Sequence, residues 1–234
     1  MEPFLAALHH FTAVRVGRVV RHPIDSATVA WLPVIGIIAA VLAIGFYVPL
    51  AALYFPIDVA VVPALIAVSW LRGFKPEIDF CQLCDLFFGQ RRRLTERPVP
   101  GVPGVTCLVV GILLKYAILR QFYLVETVRL LTLGIMAGFI APLLRPAKEH
   151  RWIMLLGFIW LVGTTLAVYN GAQISLHHDL VAQLRGPVLS IVAVYLSIRL
   201  AFSVLNNAAS PNVASFIAEL TAYLSFVIVR YHFL

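Results

Sequence analysis

Long apolar runs separated by short polar clusters make up most of this chain. The runs cover residues 27–48, 50–71, 102–119, 127–144, 152–169, 187–204 and 213–229. The first is the cleanest, with Thr28 its most polar side chain, and the second carries Asp58 near its start. Crossing the hydrocarbon core of a bilayer takes roughly 20 apolar residues in a helix. Backbone polar groups must be satisfied inside the segment at that depth, so each run predicts a transmembrane helix. The pattern therefore predicts an all-α integral membrane protein: a polytopic bundle of about seven transmembrane helices forming a single domain. Before it, Phe4, Leu5, Leu8, Phe11 and Val14 fall at helical spacing. That spacing predicts an amphipathic helix on the membrane surface within residues 1–26.

Composition agrees with a bilayer as solvent. Of 234 residues, 61% are hydrophobic and 12% charged, about half the charged share of an ordinary soluble domain. Mean hydropathy is +0.93. The net charge of +7 raises the question of nucleic acid, but the cations sit in short clusters between apolar runs, where topology places them. No nucleic-acid partner is expected. With the N-terminus in the cytoplasm, Arg15, Arg18, Arg21, Arg72, Lys75, Arg91, Arg92, Arg93, Arg97, Arg145, Lys148 and Arg151 lie inside. Arg120, Arg129, Arg185 and Arg230 lie outside or at that edge, and Lys115 and Arg199 lie within spans. This bias sets the orientation. The first 26 residues lack the continuous apolar core of a cleavable signal peptide, so the first span is expected to direct insertion. Three cysteines at irregular spacing do not make a disulfide framework.

Candidate chemistry gathers at the cytoplasmic face. The longest loop, residues 72–101, brings acids and bases together, with Glu77, Asp79 and Asp85 inside nine residues. Carboxylates beside a span need a cation or a basic partner, and hard oxygen ligands suit Mg²⁺, which commonly bridges to substrate phosphates. If residues 77–85 are helical, Glu77, Cys81 and Cys84 or Asp85 share a face, Asp79 and Gln82 share another, and the three acids do not form one stripe. Lys75, Arg91, Arg92, Arg93 and Arg199 are candidate phosphate ligands, because cationic donors fit phosphate oxygens. A polar turn, residues 205–212, contains Asn206, Asn207, Ser210 and Asn212, and Glu219 follows two turns into the last helix. Acids for a metal, cations for phosphate and a polar turn on one face are the parts of a phosphoryl-transfer site.

The order of these segments resembles the cobalamin synthase family. Phe11-Thr12-Ala13-Val14-Arg15 is similar to that family's opening Phe/Thr/Arg stretch, and Leu32-Pro33-Val34-Ile35-Gly36 to its Phe-Pro-Leu-Val-Gly motif. Lys75 to Leu86 occupies the place of the signature His-Leu-Asp-Gly-Leu-Ala-Asp-Thr-x-Asp-Gly. There Asp85 fits the last aspartate, Gln82 stands at the middle one, and Glu77 or Asp79 is one residue out of register with the first. Gly101-Val102-Pro103-Gly104 followed by Leu113-Leu114-Lys115-Tyr116 resembles the family's third span. Residues 207–212 with Glu219 resemble its Gly-Gly-x-Thr-Gly-Asp turn and the glutamate after it, Ser210 replacing threonine and Asn212 aspartate.

The resemblance implies a divergent adenosylcobinamide-GDP ribazoletransferase of the bacterial inner membrane. α-Ribazole, or its 5′-phosphate, would attack the diphosphate of adenosylcobinamide-GDP, releasing GMP and forming adenosylcobalamin or its phosphate, with Mg²⁺ as cofactor. Glu77, Asp79 and Asp85 would be metal ligands. Lys75, Arg91 to Arg93 and Arg199 would hold phosphate, and Asn206, Asn207, Ser210, Asn212 and Glu219 would line the substrate site. No general base is singled out, and a homo-oligomer is left open. A CDP-alcohol phosphotransferase would need ordered aspartates with glycine and arginine between them, a pattern this loop lacks. A transporter or non-catalytic membrane subunit is the rival of a different class, although transporters place polar groups at mid-membrane.

Overall fold

The computed structural model describes residues 2–14, 25–88, 100–144, 151–173, 180–204 and 211–233. Arg91, Arg92, Arg93, Asn206, Asn207 and Ser210 lie outside the described residues. The described chain is helical throughout: α1 (Glu2–Phe11), α2 (Ser26–Val29), α3 (Leu32–Ala52), α4 (Ile57–Leu71), α5 (Lys75–Phe87), α6 (Val102–Leu119), α7 (Leu124–Ile140), α8 (Arg151–Gln173), α9 (Leu180–Val204) and α10 (Pro211–Phe233). A 3₁₀ turn, Ala141–Leu144, extends α7. Among the described residues six helices are long and apolar enough to cross a membrane, and the α4–α5 pair would make a seventh if counted as one bent span. The protein is an all-α polytopic membrane bundle.

The second expected span is not one straight helix. Pro49 lies in the last turn of α3, Tyr54 takes a left-handed conformation (φ 61°), and Pro56 caps α4. This leaves α4 with 15 residues, too few for a full crossing. Its far end closes in a Schellman motif: Gly73 N–H donates to the Trp70 carbonyl (2.8 Å) and Phe74 N–H to the Ser69 carbonyl (2.8 Å). Gly73 (φ 64°) and Phe74 (φ 57°) are both left-handed. Such a step reverses the local path, and α5 leaves at 85° to α4. Pro76 in the first turn of α5 suits a helix start. The acidic segment expected as loop is therefore helix over Lys75–Phe87.

α7 is the central helix. Its span is 78% buried within the protein, against 28% for α6. The outer surface of α6 shows Val102, Val105, Val109, Val110 and Leu113, an apolar face that lipid would cover. α7 packs against α3, α8 and α10. Between membrane helices the hydrophobic effect gives little drive, so close backbone approach and van der Waals contact carry the packing. Gly134 and Gly138, four apart, provide it. A Cβ on Gly134 would lie 2.0 Å from Tyr223 Cε1, and one on Gly138 would lie 2.6 Å from Arg72 Nη2.

The contacts also fix which ends lie together. Ala13 N–H donates to the Leu71 carbonyl (2.6 Å), joining the segment after α1 to the end of α4. At the other end of the bundle, Arg230 near the close of α10 pairs with Glu126 in the first turn of α7 (2.8 Å).

Gly134→Ala is expected to lower stability by about 1–3 kcal/mol through overpacking against Tyr223. Gly45→Ala, which meets nothing within 4 Å, should leave it unchanged or slightly higher. Thermal unfolding of both variants in detergent micelles checks this, and equal behaviour would refute the α7–α10 close contact.

Candidate functional site

Three charged side chains meet deep in the bundle. Glu219 on α10 accepts from Arg72 Nη1 at 3.1 Å and from Lys115 Nζ at 3.0 Å, both through Oε2. Its Oε1 accepts from the Tyr223 hydroxyl at 3.1 Å. Arg72 Nη2 also donates to the Ile135 carbonyl of α7 (3.2 Å), and its guanidinium lies 4.2 Å from the Phe139 ring centroid. Lys115 Nζ stands 4.0 Å over the Phe216 ring. Arg72, Lys115 and Glu219 are only 3–4% exposed. One cluster thus joins α4, α6, α7 and α10.

The acids of α5 point to three different elements. A helix advances about 100° per residue, so residues 77 and 79 face nearly opposite ways. Glu77 is buried and accepts from Ser69 Oγ of α4 at 2.6 Å; its Oε2 has no hydrogen-bond partner among the described residues. Asp79 accepts from Asn212 Nδ2 at 2.9 Å, which ties α5 to the head of α10. Asp85 accepts from the backbone N–H of Gly101 (2.6 Å) and of Gly104 (2.7 Å). It is a helix cap for α6 supplied by another helix, satisfying two of the orphan donors and opposing the positive end of the dipole. Gly104 must be glycine here, because its Cβ would lie 2.3 Å from the Cys81 carbonyl.

These placements test the expected metal site. Among the described residues no group of three or more His, Cys, Asp or Glu converges to hold an ion. Glu77, Asp79 and Asp85 do not fit a resident Mg²⁺ as they stand, because each is drawn to a different helix. Lys75 Nζ donates to the His10 carbonyl at 2.6 Å and so secures α1. Arg199 is exposed on α9, outside the buried cluster. Asn212 and Glu219 are brought to the site by α10. Glu77, Cys81 and Cys84 share the buried face of α5, as helical spacing predicts. Cys107 of α6 lies near Cys84 of α5, a proximity that their separation in sequence conceals.

Two participants were not legible as such. Arg72 counts with the loop cations in a hydropathy reading, yet it is buried at the base of the site. Lys115 reads as a lone cation in a span, and only the fold reveals its partner. The available signal was Lys115 in one span and Glu219 in another, since an intramembrane cation and an intramembrane acid imply pairing; nothing in the sequence marked Arg72.

Beside the cluster is a small cleft lined by Arg72, Pro76, Gly138, Phe139, Asn212 and Ser215 among others. The Ser215 hydroxyl donates to the Gly138 carbonyl, fixing the head of α10 against α7.

Compared with protein-family models, curated proteins and solved structures, the chain matches none.

Glu219→Leu should destabilise by about 3–5 kcal/mol, because it leaves two buried cations uncompensated. Lys115→Met should cost clearly less, since the Arg72–Glu219 pair stays balanced. Unfolding of the two variants in micelles ranks them, and the reverse order would contradict this account. Asp85→Ala should lower stability by about 0.5–2 kcal/mol as a lost helix cap, and Asp85→Asn by less. No loss in either Asp85 variant would remove the capping role.

Proposed function

We propose that this chain is a membrane-embedded transferase of the cobalamin synthase type. It would join adenosylcobinamide-GDP to α-ribazole or α-ribazole 5′-phosphate with release of GMP. Its site would face the cytoplasm from a bacterial inner membrane. The observation that carries this reading is the Asp79–Asn212 hydrogen bond. Residues 133 positions apart, from the two segments that most resemble the family's polar motifs, meet at one end of the bundle. Glu219, the one motif residue of the last helix kept unchanged, lies below them between Arg72 and Lys115.

In this reading Asn212 and Asp79 border the substrate, and Arg72 and Lys115 supply positive potential toward the diphosphate. A preorganised cation in a dry site stabilises charge developing on a leaving phosphate. Mg²⁺ would accompany that diphosphate, since the acids of α5 do not converge on one point among the described residues.

One observation favours a second reading. Asp85 is committed to capping α6 and Glu77 to Ser69, as expected of a non-catalytic membrane subunit that has kept the scaffold.

Membranes containing the protein, supplied with adenosylcobinamide-GDP, α-ribazole phosphate and Mg²⁺, should release GMP. Asp79→Asn should reduce the rate about a hundredfold with unchanged protein level, on the scale of losing one well-placed electrostatic group. No GMP above empty membranes would overturn the transferase and leave the non-catalytic reading.

A further inference from the structure

Among the described residues the cluster sets two cations on one carboxylate, with the buried Glu77 carboxylate at the start of the adjoining helix α5. The Glu219 oxygens are already engaged, Oε2 by both cations and Oε1 by Tyr223. A buried net charge is costly in a low-dielectric interior. The faces of Phe139 and Phe216 offset part of it. Arg72 Nε is buried with no hydrogen-bond partner among the described residues, and buried donors are rarely left so.

Arg72 also lines the cleft beside the head of α10, with Asn212 and Ser215 across from it. Asn212 gives one amide hydrogen to Asp79, which leaves its second available. The first turn of α10 adds the positive end of a 23-residue helix. Gly138 keeps the floor open, because any Cβ there would strike the guanidinium. The cavity is about 20 Å³, the size of one water or one phosphoryl oxygen.

We infer that this cleft is an anion subsite that receives one oxygen of a phosphoryl group whose remainder lies outside it, with Arg72 as its principal donor and Asn212 as its second. The inference rests on the transferase reading only for whose phosphoryl group is bound. A nucleotide diphosphate and a lipid headgroup present the same chemistry.

The test uses the full chain in phosphatidylcholine nanodiscs, with thermal unfolding followed as pyrophosphate is added at constant ionic strength. A parallel series uses phosphatidylglycerol nanodiscs with no added anion. Saturable stabilisation by pyrophosphate is expected. Arg72→Lys, which keeps the charge but loses the fork and the Nε–H, should raise the midpoint concentration about tenfold. Asn212→Ala should raise it as well and leaves the ion cluster intact, so it decides the matter if Arg72→Lys fails to fold. Stabilisation by phosphatidylglycerol alone, lost in Asn212→Ala, would support the subsite and assign the group to lipid. No saturable effect in either nanodisc, or a midpoint unchanged in Asn212→Ala, would overturn it. GMP release by a protein that shows no such effect would remove the subsite and spare the transferase. Stabilisation without GMP release would keep the subsite and count against the transferase.

Discussion

The Glu219 carboxylate, held between Arg72 and Lys115 with almost no access to solvent, is the constraint around which the bundle is arranged. Removing ions from water is expensive, and attraction repays it only when geometry is close and remaining polar groups are satisfied. Here one oxygen serves two cations and the other takes the Tyr223 hydroxyl. Four helices must keep their relative positions for those contacts to survive. An aliphatic contact can slide along a neighbour with little penalty, but this cluster cannot, so it fixes the rotation and depth of α4, α6 and α10 about α7.

Close approach makes the cluster reachable. Gly134 lets the Tyr223 ring lie against α7, and Gly138 leaves room for the Arg72 guanidinium. The bend after α4 acts in the same direction. Leu71 and Arg72 end one helix, and two left-handed residues send the chain off at 85°. The turn leaves Arg72 at the base of α5, where its side chain reaches α7 and α10.

The same end of the molecule collects the acids of α5, and each performs a joining task. Asp85 caps α6, Glu77 ties back to α4, and Asp79 reaches α10. Asp79 is thus the acid that touches the segment expected to border the substrate. The polar end of the bundle is therefore organised as a network of linked helix termini with a cleft between them.

By itself the sequence determined the solvent and the long membrane helices, because apolar run length responds to the bilayer directly; it missed the shortness of α4 and the helix over the acidic segment. It also determined that the acidic segment and the head of α10 share one end, since the number of spans between them sets that. The spacing rule placed Glu77, Cys81 and Cys84 on one buried face of α5. Only the tertiary structure decided where side chains from different helices point. Arg72 adjoins an apolar run and reads as an interfacial cation, but it is buried against Glu219 and the Ile135 carbonyl. Asp85 reads as a metal ligand until the N-terminus of α6 is seen against it. Hydropathy is a property of one segment, whereas the partner of a buried charge depends on the rotation of several helices about their axes, and those rotations are set by packing between residues far apart in the chain.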